Sequence, residues 1–140
     1  YFFFFFYDCT AAMAVTLKNI KLLKENRSNQ LLAEIESELE IAVKLMTERH
    51  QIGNSIFWNT SRVGKRKGTL AKMSKVAFNA KTAFVKAKSA FHEFMFEVQI
   101  SETDEVNRLL QIHQDFYLAD LWFVKFKADC HQLQLSLLTA

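Results

Sequence analysis

The chain has 140 residues, half of them apolar, with 18 Lys and Arg against 15 Asp and Glu, 14 Phe, two Cys, three Gly and no Pro. That length suits one domain with a real hydrophobic core, and the apolar content excludes a disordered polycation. The lack of Pro and scarcity of Gly predict an all-α fold: an antiparallel bundle of long amphipathic helices with short connections, residues 1–140 forming a single domain.

The first seven residues, Tyr1 through Tyr7, are all aromatic, so residues 1–9 stand out as an aromatic N-terminal segment. The run is far too short to cross a bilayer, and Asp8 ends it. Ala12, Met13 and Ala14 make a small-residue pattern of the kind that signal peptidases cut. Asp8 and Cys9 would sit badly in a signal core, and the reading is a mature secreted chain. A short helix is predicted from about Thr10 to Lys24, packing through Val15, Leu17, Ile20 and Leu22.

From Leu32 onward apolar residues repeat at alternating steps of three and four: Leu32, Ile35, Leu39, Ala42 and Met46, then Arg49, Gly53 and Ile56. The pattern predicts a helix from about Asn29 to Val63, broken at Arg49 and bent near Gly53. Gly64 and Gly68 bracket Lys65, Arg66 and Lys67, which predicts a basic turn. A helix from Thr69 to Ile100 follows, with a seam of Leu70, Met73, Ala77, Ala80, Phe84, Ala87, Phe91, Phe94 and Val98. Off that seam Lys72, Lys75, Lys86 and Lys88 interleave with Phe78, Val85 and Phe96. Ser101 offers an N-cap, with Glu102, Asp104 and Glu105 suited to the positive end of a last helix. Its seam is Leu109, Ile112, Phe116, Ala119, Phe123, Phe126, Cys130, Leu133 and Leu137. A second stripe of Leu110, Tyr117, Leu121, Trp122 and Val124 makes that helix apolar almost all round, so it is either fully buried or membrane-seeking.

Charge is segregated along the chain. Between Arg49 and His92 there is no acidic residue, while ten cations occur: Arg49, Arg62, Lys65, Arg66, Lys67, Lys72, Lys75, Lys81, Lys86 and Lys88. The remaining residues therefore hold eight cations and all 15 acids, and the modest net charge of +3 conceals a strongly dipolar molecule. Basic charge gathered this way calls for an anionic partner.

Little in the sequence carries chemistry. His50, His92, His113 and His131 are scattered, and none follows a glutamate at the di-iron spacing. Glu93 and Glu97 beside His92 read as a solvated helix face before a metal edge. The Gly64–Gly68 segment lacks the Lys-Ser or Lys-Thr pair of a phosphate loop, and no nucleophile stands near a base. A non-enzymatic role with no cofactor and no metal is expected. Cys9 and Cys130 could join the N-terminal segment to the last helix, or Cys130 could be a small core residue.

The segment Glu40-Ile41-Ala42-Val43-Lys44, Trp58 followed by Arg62-Val63, the basic residues after it and Thr69-Leu70 opening a long helix resemble the abalone sperm lysin family. The resemblance continues through His92, Phe94 and Met95, then Asp104, Arg108-Leu109 and the aromatics around Tyr117 and Trp122, covering roughly Glu40 to Lys127. It implies a helical protein of the sperm acrosomal vesicle, released at the egg surface and acting without catalysis, with a capacity to dimerise. Lysin-like action, binding and loosening the egg vitelline envelope through its glycoprotein, is one implied function. This chain is less basic, lacks a proline-containing C-terminal region and has added aromatics, which favours the family's fusogenic acrosomal branch and membrane fusion between sperm and egg.

The expected partner is thus an anionic phospholipid membrane of egg or sperm, with an egg-surface glycoprotein as the alternative and no nucleic acid. The acidic run Glu34, Glu36, Glu38 and Glu40 and the aromatic excess have no role on a polyanion duplex. Arg62, Lys65, Arg66, Lys67, Lys72, Lys75, Lys86 and Lys88 are the expected anion contacts. Phe78, Phe96, Trp122, Tyr1, Phe2, Phe3 and Phe4 are the expected apolar insertion residues.

Overall fold

The computed structural model of the chain describes residues 2–52, 63–98 and 103–139, with side chains described for 10–25, 27–49, 51, 68, 71–98, 105–125, 127–128 and 131. Among these residues there are four helices and no strand: α1 (Phe2–Asn26), α2 (Gln30–Ile52), α3 (Val63–Glu97) and α4 (Thr103–Thr139). They pack as a ring in which α2 lies against α1 and α3, and α4 against α1 and α3. Neighbours run antiparallel. Lys21 reaches Glu40 and Lys24 reaches Glu36 between α1 and α2. Asn19 meets Asp115 between α1 and α4, and Lys88 meets Asp120 between α3 and α4.

The interior is built from the predicted alternation of three and four. Leu32, Ile35, Leu39, Ala42 and Met46 of α2 are buried, as are Met73, Ala77, Ala80, Phe84, Ala87, Phe91 and Phe94 of α3 and Leu109, Ile112, Phe116, Ala119 and Phe123 of α4. On α1 the buried line is Met13, Thr16, Ile20 and Leu23. That corrects the expectation for this helix: Ile20 is in the core, but Val15 and Leu22 face solvent and Leu17 is half-buried. Thr16 can occupy a core position because its hydroxyl donates to the Ala12 carbonyl one turn back, at 2.9 Å.

Helix ends follow local chemistry. The Asn29 side chain accepts from Leu31 N–H at 2.8 Å and its carbonyl accepts from Ala33 N–H, so Asn29 caps α2. α1 begins at Phe2 rather than near Thr10, so the aromatic segment continues a helix. The basic segment is a second correction. Gly64 through Gly68 lies inside α3, with neither of these two glycines in a left-handed conformation. Lys and Arg are good helix formers, and two glycines cost only about 1 kcal/mol each, which a long packed helix offsets. α3 is therefore a rod of about 52 Å. The predicted bend at Gly53 lies outside the described residues.

Among the described residues Arg49 is the one cation in the core. It continues the α2 seam one step past Met46, is fully buried, and donates from Nε to the Met73 carbonyl of α3 at 2.7 Å. The expected break in the seam is thus a polar contact between two helices. Asp115 is the other buried charged group among the described residues, accepting from Asn19 of α1 at 3.2 Å and from Gln111 at 3.0 Å. A carboxylate with two amide donors can be accommodated where a bare one could not.

Two substitutions test this architecture. A Cβ at Gly68 meets nothing within 4 Å, so Gly68→Ala should raise unfolding free energy by about 0.5–1 kcal/mol; a turn at this position would give no gain. Arg49→Met, of similar length and apolar, should leave stability unchanged or raise it, while Arg49→Ala should cost about 2–5 kcal/mol by leaving a cavity. Urea unfolding followed by circular dichroism reads both.

Candidate functional site

The outer face of α3 carries the densest combination of charge and exposed aromatic surface among the described residues. Lys72, Lys75 and Lys86 are exposed, and so are Phe78, Val85 and Phe96. Seven and eleven residues separate the three apolar side chains, which sets them on one line of the helix, with Lys75 and Lys86 on the line beside it. Phe78 is 70% exposed and Phe96 92%. A phenylalanine normally buries most of its surface, so two in water on one face are a departure that packing does not explain.

These two aromatics stand in opposite electrostatic surroundings. Phe78 has Lys75 and Lys81 three residues to either side, and Lys72 one turn further. Phe96 has Glu93 three residues before it and Glu97 next to it. α3 thus runs from a basic first two-thirds to an acidic last turn. Its first turn has no acid and its last no base, opposite to what the helix dipole favours at both ends.

Several expected contacts fall elsewhere. Lys88 is half-buried and hydrogen-bonded to Asp120 of α4, so it serves the bundle and leaves the list of anion contacts. Trp122 is half-buried and packed against the core, with Lys125 Nζ 5.3 Å from its ring centroid, which removes it from the insertion residues. Arg49, counted with the basic stretch, is in the core. Lys65, Arg66 and Lys67 belong to the start of α3 and Phe2, Phe3 and Phe4 to α1, but their side chains lie outside the described set, as do Arg62 and Tyr1 altogether. The pairing of Cys9 with Cys130 also falls on side chains outside it.

The second stripe of α4 resolves in favour of exposure. Leu110, Tyr117, Leu121 and Val124 face solvent, joined by Val106 and Leu118, which the sequence reading passed over. Between α3 and α4 the rings of His92 and His113 lie 5.9 Å apart, a contact that no spacing in the sequence announces. No group of three or more His, Cys, Asp or Glu among the described residues is placed to hold a metal ion. Among them too, no helix is long and apolar enough to cross a membrane.

No protein-family model, no curated protein and no solved structure matches this chain.

The division between exposed and structural aromatics is measurable. Phe96→Ser should change unfolding free energy by less than about 0.5 kcal/mol, whereas Trp122→Ala should cost about 2–4 kcal/mol, both read by thermal or urea unfolding.

Proposed function

We propose that this protein is a non-catalytic helical bundle that adsorbs to anionic phospholipid membranes through the outer face of α3. The observation that carries the reading is the exposure of Phe78 among Lys72, Lys75, Lys81 and Lys86, on a helix with no acid from Val63 to His92. Each lysine near an anionic bilayer contributes about 1 kcal/mol, and a fully buried phenylalanine about 1.5–3 kcal/mol. Three exposed lysines and one inserted ring thus supply roughly 5 kcal/mol before the first turns of α3 are counted. Glu93 and Glu97 repel the same surface, so contact centres on Phe78 and the N-terminal part of the helix, with Phe96 secondary.

The resemblance to the abalone sperm lysin family gives this adsorption a setting: a secreted acrosomal protein, released at the egg surface, that promotes fusion of sperm and egg membranes. Drawing bilayers together requires attraction to lipid, and a basic face with an exposed ring supplies that. Binding of an egg-envelope glycoprotein is the alternative that the same resemblance offers.

Co-sedimentation with phosphatidylcholine vesicles containing phosphatidylserine tests the proposal. Binding is expected at low salt and should fall by tenfold or more as NaCl rises to about 0.5 M. Lys72→Glu, Lys75→Glu and Lys86→Glu combined should abolish it, and Phe78→Ser should weaken it more than Phe96→Ser does. Lipid mixing between vesicles reads the fusion step. Absence of binding and of vesicle aggregation at low salt overturns the reading, and loosening of isolated egg envelopes without effect on vesicles would establish the alternative.

A further inference from the structure

We propose that His92 of α3 and His113 of α4 form a two-imidazole site for a divalent transition metal ion, Zn2+ foremost, which clips the two helices together. Their rings lie 5.9 Å apart between centroids, inclined at 45°, and both residues are exposed. Among the described residues no hydrogen bond or ion pair engages either ring. Each neutral imidazole therefore has a nitrogen lone pair to offer, and imidazole suits zinc, copper and nickel. The expectation of no metal rested on ligands within one helix, whereas this partner comes from another.

Helix register brings the two residues face to face. Lys88 stands one turn before His92 on the same line of α3, and Asp120 stands two turns after His113 on the same line of α4. The ion pair of Lys88 with Asp120 and the facing histidines are thus successive contacts along one antiparallel edge. A pair positioned by packed helices approaches an ion without the ordering cost that two loop residues would bear.

The separation fits one ion. Zinc binds imidazole nitrogen at about 2.0–2.1 Å, and with the ring centroid about 1.1 Å behind the nitrogen each centroid lies about 3.2 Å from the metal. Two such rings on a tetrahedral ion have centroids about 5.2 Å apart, and a wider ligand angle brings this to about 6 Å. The observed 5.9 Å lies inside that range, so only small side-chain rotations are needed. The electrostatic setting admits a dication: Lys88 is paired with Asp120, the exposed Glu93 adjoins His92, and the one charged residue within a turn of His113 is Asp115. An ion therefore meets no unpaired cation within a turn on either helix. With two protein ligands the other positions belong to water, which makes the ion exchangeable, unlike that of a four-ligand structural zinc site.

The test uses the whole, untagged chain, stripped of metal by a chelator, in lipid-free buffer, so its outcome is separate from that of vesicle binding. Calorimetric titration should show Zn2+ binding and no binding of Mg2+ or Ca2+, whose ligands are oxygen. His92→Ala and His113→Ala should each weaken Zn2+ binding at least tenfold, His131→Ala should leave it unchanged, and helical circular dichroism should be the same in all three. Saturating Zn2+ should raise the midpoint of thermal unfolding by about 5 °C or more in the unsubstituted chain and in neither of the first two variants. Absence of binding up to about 1 mM Zn2+ overturns the proposal. An isotherm identical in the unsubstituted chain and both variants also overturns it, because the ion then sits elsewhere. Binding with no gain in the midpoint overturns the clip, because the ion then does not join the helices.

Discussion

The arrangement depends on an inequality of size along α3. Its buried strip alternates alanine, at Ala77, Ala80, Ala83, Ala87 and Ala90, with phenylalanine at Phe84, Phe91 and Phe94. Methyl side chains let a neighbouring helix approach closely, and the contact of α3 with α2 is the most extensive among the described residues. Toward α4 the rings meet rings: Phe84 lies 5.6 Å from Phe116 and 5.3 Å from Phe123, and Phe91 stacks on Phe116 at 5.2 Å. Among the described residues, the contact of α3 with α4 is the sparsest in the ring. Aromatic side chains fill the core on that side. The outer lines of both helices are left in water, with Phe78 and Val85 on one and Tyr117 and Leu121 on the other.

Most of this was legible because a long helix without proline repeats its buried line every three or four residues. The seam positions of α2, α3 and α4 could be written down from Leu32 to Phe123, and those described are buried except Val98, which is half-buried, while Ala83 and Ala90 are buried beside the seam. The misreadings share a cause, which is that local residue type was given more weight than helix continuity. Gly64 and Gly68 look like punctuation, but a glycine in a helix is only a modest cost when 35 residues of helix carry it. Arg49 looks like a break, yet a guanidinium on a seam can reach a carbonyl of the next helix. On α1 the choice of Val15 and Leu22 over Met13 and Thr16 placed the line one side too far, because a threonine that bonds its own helix backbone reads as polar in the sequence. Site residues were harder. Whether Lys88 is free or bonded, and whether Trp122 is surface or core, depends on what α3 and α4 present to each other across the ring contacts, and no pattern within one helix encodes that.

Electrostatics shows a second asymmetry. The acidic helix α2 packs most closely against the basic helix α3, but two of its carboxylates, Glu36 and Glu40, are engaged by Lys24 and Lys21 of α1. Half-exposed pairs of this kind contribute little to stability, on the order of 0–1 kcal/mol each. Their consequence is that α1 lysines neutralise part of α2, while Lys72, Lys75 and Lys86 of α3 stay exposed. α3 also sets its charges against its own dipole at both ends, each such placement costing about 0.3–1 kcal/mol. A helix under selection for stability alone would lose both features, whereas a helix that must meet an anionic surface with its N-terminal part would keep them.

Two outer faces of different chemistry therefore stand side by side. The α3 face joins positive charge to an isolated aromatic ring, a combination suited to a fluid anionic surface, where charge gives range and the ring gives depth. The α4 face, with Tyr117 and Leu121, carries no exposed charge between Val106 and Val124 that would draw it to the same surface. On the edge where the two helices meet, Lys88 bonds Asp120 and, one turn further along α3, His92 faces His113. Polar side chains thus cross between α3 and α4 where the contact of the two helices is sparse. A metal ion on the two imidazoles would tighten the acidic end of α3 onto α4 and leave its basic first two-thirds, the part that meets lipid, as it is. Membrane contact and metal binding then occupy different stretches of one helix. Such an ion sets how firmly α3 is held in the bundle without competing for the anionic surface.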